Sequence, residues 1–240
     1  MDELKRRLGE DRRFFSYFHP ALEDEPIIFV QVALTNGLGR SIQEITKPRL
    51  DGDQKYDSAT FYSISNCQEG LSRVTLGNFL IKRVVFEIQE ELPNIKHFGT
   101  LSPIPGFRDW FSYLEDGKIK NILGDVPIEN ISFLKSPDLK VGDPRIVSNK
   151  VAITKLVAHY LMNEKNHKQL PINDVCRFHL GNGAIIDDIV INANVSEVGL
   201  NRSFGVMVNY LYELKNIEKN HEEYINNKTI IISDKLKKII

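Results

Sequence analysis

SATFYSISNCQEGLSRVTLGNFLIKRVVFEIQEELPNIKHFGTLSPIPGF, residues 58–107, is the stretch that determines the expected fold. Its β-branched and aromatic residues 59–65 predict a strand, and the polar residues and glycine that follow predict a turn. A long helix comes next, and a second strand leads into a serine framed by prolines. Two strands joined by a helix favour a parallel or mixed sheet with a right-handed crossover.

The long helix is predicted from the spacing of its apolar residues. These recur at every fourth position: Leu76, Leu80, Val84, Ile88 and Leu92. One broad face of the helix must therefore be buried. Pro93 cannot continue the hydrogen-bond ladder, so the helix is expected to end before it.

The turn before this helix is a candidate anion site. The first N–H groups of a helix have no intrahelical partner, and together with the positive end of the dipole they favour phosphate. Gly70 and Gly77 would let the backbone approach such a ligand. The same pattern is typical of ordinary α/β structure, and the chain lacks the glycine patterns of P-loop and dinucleotide-binding proteins, so the turn alone identifies no ligand.

Charge and composition narrow the class of protein. The 240 residues carry 31 basic and 32 acidic side chains, a net charge of −1 that gives no general attraction to nucleic acid or to an anionic membrane. No apolar run is long enough to span a membrane, and none opens the chain as a signal segment. The two cysteines, Cys67 and Cys176, match no zinc spacing and indicate free thiols in a reducing compartment. A cytoplasmic location is expected.

Apolar runs and helical spacing predict the remaining elements of the chain. Residues 26–34 are a nearly continuous apolar run that predicts a strand covered on both faces, and residues 107–114 and 150–161 are predicted to be helices. Strands are predicted at 185–195 and 205–214. A short exposed helix is expected within residues 1–15, non-periodic loops over 115–143 and a last helix over 232–240.

Two residues have the right surroundings for chemistry. Pro103 and Pro105 stiffen the backbone around Ser102, which would hold its hydroxyl in a fixed position. A rigid turn in which Ser102 only satisfies nearby backbone groups explains the same residues. His179 could transfer a proton near physiological pH, or it could be a partly buried histidine bonded to a carbonyl. Six histidines without close pairing argue against a metal site.

Several stretches, in order along the chain, carry a resemblance to one family. They are FYSIS (61–65), Gln68, Gly70 and Leu71, LGNFLIKRVV (76–85), LSPIPGF (101–107), FHLGNGA (178–184) and GVMVNY (205–210). Together they resemble the malonyl-CoA decarboxylases, and weaker similarity extends over nearly the whole chain.

The resemblance implies a fold and a set of site residues. The fold would be α/β (α+β), a GNAT-like mixed central sheet flanked by helices, in a single catalytic domain over residues 1–240. Ser102 and His179 would be the catalytic pair, with Tyr212 as a third candidate. The coenzyme A thioester would lie against one segment of the chain: Gln68, Gly70, Ser72, Arg73, Val74, Thr75, Leu76, Gly77 and Asn78.

The resemblance also implies an activity, the decarboxylation of malonyl-CoA to acetyl-CoA and CO2. No cofactor is expected, because the thioester is the electron sink and coenzyme A is part of the substrate. Neither nucleic acid nor membrane is an expected partner. Members of the family carry a helical domain before the catalytic one, so a homo-oligomer or a separate helical-domain partner is left open. The alternatives are a non-catalytic fragment that binds coenzyme A thioesters and, third, a GNAT acyltransferase.

Overall fold

The computed structural model describes residues 9–47, 55–67 and 77–240. Seven strands within these residues form one sheet. They are β1 (Arg12–His19), β2 (Leu22–Thr35), β3 (Ser58–Asn66), β4 (His97–Thr100), β5 (Ser102–Pro103), β6 (Ile185–Val190) and β7 (Met207–Leu211).

The sheet is mixed, as the sequence predicts. Strands β1 to β4 are neighbours in chain order, and the one parallel pair among the described strands is β3 with β4. Strand β7 pairs antiparallel with β4 and β5 along one of its edges, where these two short strands follow one another. On its other edge it pairs antiparallel with β6. The centre of the sheet therefore joins segments from distant parts of the sequence.

Helices connect and flank these strands. They are α1 (Ile42–Ile45), α2 (Gly77–Glu91), α3 (Phe107–Ser112), α4 (Asp116–Leu123), α5 (Pro144–Ser148), α6 (Lys150–Met162), α7 (Asp174–Gly181), α8 (Glu197–Ser203), α9 (Ile217–Asn227) and α10 (Asp234–Lys237). Two short 3-10 turns, Ile128–Asn130 and Ser132–Lys135, lie between α4 and α5. No helix in the described residues is long and apolar enough to cross a membrane.

Helix α2 lies between the parallel strands β3 and β4 and confirms the predicted strand–helix–strand unit; the right hand of the crossover stays a prediction. Its apolar stripe is in the core, where Ile81, Val84, Val85 and Ile88 are all fully buried. The helix ends at Glu91, two residues before Pro93, because proline has no N–H to donate and its ring excludes the helical backbone before it.

The predicted N-terminal helix is wrong over the described part of residues 1–15. Residues 12–15 belong to β1, which pairs with β2 from Arg12 opposite Ala33 onward. Phe15 and Tyr17 alternate along this strand and pack against the core, whereas Phe18 is largely exposed. The pairing with β2 decides the structure here, since alternation of period two suits a strand better than a helix.

Three further predictions need correction. The strand predicted at 185–195 ends at Val190. The stretch 115–143, predicted as loops, contains helix α4. Its Ile119 and Leu123, four residues apart, are buried against α6. One such pair is too short a pattern to predict a helix from sequence. The last helix is shorter than predicted because Ile232 forms a parallel bridge with Ile186 beside the sheet. Helix α10 starts only at Asp234, and α9 was not expected.

Gly183, which follows α7, provides a test of this packing. It has φ +80°, and a Cβ there would lie 2.1 Å from the carbonyl oxygen of Ile217. Gly183→Ala should therefore destabilise the protein by about 3 kcal/mol or more, through strain and a backbone clash. The measurement is the midpoint of urea unfolding.

The matched control is Gly181→Ala, in the last turn of α7. A Cβ at Gly181 meets nothing closer than a Tyr224 ring carbon at 3.9 Å. This control should be neutral or stabilising by roughly 0.5–1 kcal/mol. Equal effects of the two substitutions would contradict the described packing.

Candidate active site

Ser102 lies on a short segment that is held at both ends. It opens β5, paired with Val208 of β7, and the N–H of Leu101 donates to the carbonyl of Phe61 at 3.0 Å. Beyond the two prolines, the carbonyl of Pro105 accepts from the hydroxyl of Tyr160 at 2.9 Å. The backbone around Ser102 is thus as constrained as its two prolines predict.

His179 lies in the last turn of α7. Asn173 caps this helix, because its side-chain oxygen accepts from the N–H of Cys176 at 2.8 Å. The amide nitrogen of the same side chain donates to the carbonyl of Pro105 at 3.0 Å. One buried side chain therefore links the helix of His179 to the segment of Ser102.

These elements bring three side chains into one hydrogen-bonded row. The Ser102 hydroxyl is 2.9 Å from Nε2 of His179, and Nδ1 of His179 is 2.8 Å from the hydroxyl of Tyr212. Tyr212 directly follows β7, and its N–H donates to the carbonyl of Phe98 at 2.8 Å. All three side chains are buried, at 6%, 3% and 2% exposure respectively.

Burial sets the protonation state of this row. It lowers the pKa of His179 from 6.5 to about 3 and raises the pKa of Tyr212 well above its ordinary value. The Tyr210 ring stacks on the imidazole with centroids 4.4 Å apart, which excludes water from that face. The row therefore consists of neutral groups at physiological pH.

A second polar layer supports Ser102. Its hydroxyl donates to Oγ1 of Thr100 at 2.8 Å. The side-chain nitrogen of Asn209, on β7, donates to the carbonyl of Thr100 at 2.8 Å and to that of Gly39 at 3.0 Å. The polar groups nearest Ser102 are thus satisfied although they are buried.

A buried row of serine, histidine and tyrosine on a mixed sheet can be compared with known proteins. The family model described as malonyl-CoA decarboxylase C-terminal domain matches residues 1–240. The chain belongs to the malonyl-CoA decarboxylase family.

Individual members of the malonyl-CoA decarboxylase family are similar to this chain over nearly its whole length. The protein named malonyl-CoA decarboxylase, mitochondrial, from Anser anser anser is 37% identical over 98% of this chain and 51% of its own length. The crystal structure of malonyl-CoA decarboxylase from Rhodopseudomonas palustris has a TM-score of 0.86 at 39% identity, over 99% of this chain and 55% of that one. The chain thus spans about half the length of the curated relatives it matches.

A more distant structure bears on the fold alone. The loading GNATL domain of CurA from Lyngbya majuscula has a TM-score of 0.52 at 13% identity, covering 91% of this chain and 83% of that domain. The predicted fold, a GNAT-like mixed sheet flanked by helices, is confirmed.

The residues predicted from the malonyl-CoA decarboxylase resemblance fall into two groups. Ser102, His179 and Tyr212 are brought together. The predicted coenzyme A segment lies mostly outside the described residues: Gln68, Gly70, Ser72, Arg73, Val74, Thr75 and Leu76. Gly77 and Asn78 open helix α2, and for these two the structure describes the backbone course. The anion site at this turn stays a prediction.

Sequence reasoning missed Thr100, Asn173 and Asn209. Thr100 could have been found, because residues two apart on an extended segment point to the same side and Ser102 was already a candidate. Asn173 precedes an apolar helical stretch and fits the preference for asparagine at an N-cap. Asn209 gave no such signal, since its role depends on the pairing of β7 with β4 and β5.

Proposed function

We propose that this chain decarboxylates malonyl-CoA to acetyl-CoA and CO2. The observation that carries the proposal is the buried row Ser102, His179 and Tyr212 in a chain of this family. The row joins a positioned hydroxyl to a neutral imidazole and a phenol, the parts needed to orient a carboxylate and supply a proton.

The reaction breaks the bond between the carboxylate carbon and the α-carbon. The electron pair of that bond moves to the α-carbon and is delocalised onto the thioester oxygen as an enolate, while CO2 leaves. The α-carbon then accepts one proton, which gives acetyl-CoA. Hydrogen-bond donors that are fixed in advance lower the free energy of such developing charge, because they need no reorganisation during the reaction.

In this proposal Ser102 contacts the substrate, and His179 supplies the proton through it or directly. The Nε2 atom of His179 lies 2.9 Å from the Ser102 hydroxyl, within the reach required of a general acid. Tyr212, 2.8 Å from Nδ1, restores the proton to the ring, and solvent finally replaces it. One proton is consumed per turnover.

The remaining expectations are part of the same proposal. The reaction requires no cofactor, since the thioester accepts the electron pair and coenzyme A belongs to the substrate. We propose one catalytic domain over residues 1–240, located in the cytoplasm, without nucleic acid or membrane as partner. It would act as a homo-oligomer or with a separate helical-domain partner, which analytical ultracentrifugation would distinguish.

A non-catalytic coenzyme A thioester-binding fragment is the alternative. It is favoured by one observation, that the chain covers 51% of the Anser anser anser protein and 53% of the one from Rattus norvegicus. The two functions share ligand binding and differ in turnover.

The test is release of CO2 and acetyl-CoA from malonyl-CoA by the purified 240-residue chain, with Ser102→Ala beside it. We expect turnover by the unchanged chain and a kcat lower by roughly 10²–10⁴-fold in the variant, the range of a lost acid–base group. Ser112→Ala is the matched control, because the Ser112 hydroxyl is exposed and donates to the carbonyl of Asp109, away from the row.

The outcomes separate the hypotheses. A folded chain that coenzyme A stabilises against heat but that shows no turnover would support the fragment. Equal turnover of Ser102→Ala and Ser112→Ala would overturn the assignment of the site.

A further inference from the structure

Thr100 lies beside the row and is in contact with it. It is 1% exposed, and its Oγ1 atom accepts the Ser102 hydroxyl proton at 2.8 Å. The N–H of Tyr210 points at the same oxygen from 3.4 Å, and the Thr100 carbonyl is fixed by Asn209. The acceptor offered to Ser102 is thus held by strand β7.

The direction of the single Ser102 hydroxyl proton determines whether this oxygen faces the imidazole as a donor or as an acceptor. A serine hydroxyl has one proton and two lone pairs. Its proton is used on Thr100, so the Ser102 oxygen can meet Nε2 of His179 only as an acceptor. In that arrangement Nε2 carries the hydrogen of the neutral ring.

The hydrogen bond between Tyr212 and His179 leads independently to the same Nε2–H tautomer. Because burial raises the pKa of Tyr212, its phenol keeps its proton. Within the described residues, the hydrogen-bond partner of that phenol is Nδ1 of His179 at 2.8 Å. A phenol that donates to Nδ1 requires Nδ1 to be bare, which places the ring hydrogen on Nε2.

We propose that Thr100 is a positioning residue that selects the Nε2–H tautomer of His179 by accepting the proton of Ser102. The hydrogen bonds then all run in one direction, from Tyr212 through His179 and Ser102 to Thr100. The tautomer follows from the hydrogen bonds of the row without substrate; its use in catalysis rests on the proposed function. There, a substrate oxygen or the enolate carbon takes the place of Thr100 as acceptor, and each proton moves one step along the row.

Loss of the Thr100 hydroxyl should release this constraint. In Thr100→Val the Ser102 proton has lost its acceptor, and Nε2 becomes the nearest alternative. Ser102 can donate there only if the ring hydrogen moves to Nδ1, which faces Tyr212. In the double variant Thr100→Val/Tyr212→Phe no phenol opposes that change, so the Nδ1–H tautomer should predominate.

The experiment is two-bond 1H–15N correlation NMR on the chain labelled with 15N-histidine. It distinguishes the tautomers because a protonated ring nitrogen resonates far upfield of a bare one, and the His179→Asn variant identifies the signals of His179. We expect Nε2–H in the unchanged chain and in Thr100→Ser, a rise of Nδ1–H in Thr100→Val, and Nδ1–H as the main form in the double variant.

An Nδ1–H ring in the unchanged chain would overturn the proposal without any variant. So would a Thr100→Val spectrum identical to that of Thr100→Ser. If Thr100→Val fails to fold, Thr100→Ala takes its place in the comparison.

Kinetics test the catalytic use of the tautomer separately. Thr100→Val should lower kcat at least tenfold with KM within about twofold, and Thr100→Ser should restore kcat, because the substrate is still bound but the proton starts in the wrong place. An inactive chain with the expected NMR pattern would reject the proposed function and keep the tautomer. If the chain is active and Thr100→Val leaves kcat unchanged, Thr100 sets the tautomer only in the absence of substrate. That result would overturn its part in catalysis.

Discussion

Replacing His179 by Asn should lower kcat for malonyl-CoA by about a thousandfold and leave coenzyme A affinity nearly unchanged. An asparagine amide can occupy the place of Nδ1 and keep a hydrogen bond to Tyr212, but it does not reach Ser102. The variant thus removes the connection between the phenol and the serine while a polar group remains in the buried space. Steady-state release of acetyl-CoA gives kcat, and thermal shift with coenzyme A gives the affinity.

His179→Gln is the complementary variant, because its amide can occupy the place of Nε2 and face Ser102. It should retain more activity than His179→Asn if a donor toward Ser102 is what the reaction requires. His221→Asn is the control, since His221 is bonded to the carbonyl of Gly181, outside the row. Activity of His179→Asn within tenfold of the His221→Asn control would contradict the role of His179.

Acid should destabilise the protein by way of the same histidine. The pKa of His179 is lowered to about 3 in the folded chain, against 6.5 when the ring is in water. Below pH 6.5 the unfolded chain therefore binds a proton that the folded chain does not, and stability falls as the pH falls toward 3. Linkage gives a loss of about 2 kcal/mol by pH 5 and about 4 kcal/mol by pH 3.

The measurement is the urea unfolding free energy at pH 7, 6 and 5, compared with that of His179→Asn. Carboxylates contribute little in this range because their unfolded pKa values are near 4. Burial also lowers the pKa of His159, so its contribution has the same sign in both proteins and cancels in the difference. Parallel pH profiles of the two proteins would show that His179 is not buried in its neutral form.

The central unit of the fold was predictable because its signals are local. The apolar stripe of α2 lies within its 15 residues and Pro93 follows two residues after its end, and strand β3 is marked by its β-branched and aromatic residues. Strand β1 was not predictable in this way. Its structure is decided by pairing with β2. Charged residues such as Arg12 and Arg13 led to the wrong prediction of an exposed helix.

The site was predictable only in part. Without the resemblance, a stiff turn and a structural buried histidine explain Ser102 and His179 as well as a catalytic pair does. What makes them a pair is a hydrogen bond across 77 residues of sequence, which no local pattern contains. Thr100 and Asn173 had local signals, but their partners, the Ser102 hydroxyl and the Pro105 carbonyl, are known only from the folded chain.

The central place of β7 has a consequence for how the protein is made. Pro103 and Met207 pair in the sheet, yet at a ribosomal rate of about 5–20 residues per second the first is synthesised roughly 5–20 s before the second. For that time β4 and β5 have an unpaired edge, which is the kind of surface that promotes association between nascent chains. Emergence of β7 ends this exposure, and Tyr212, the next residue after it, completes the row around His179.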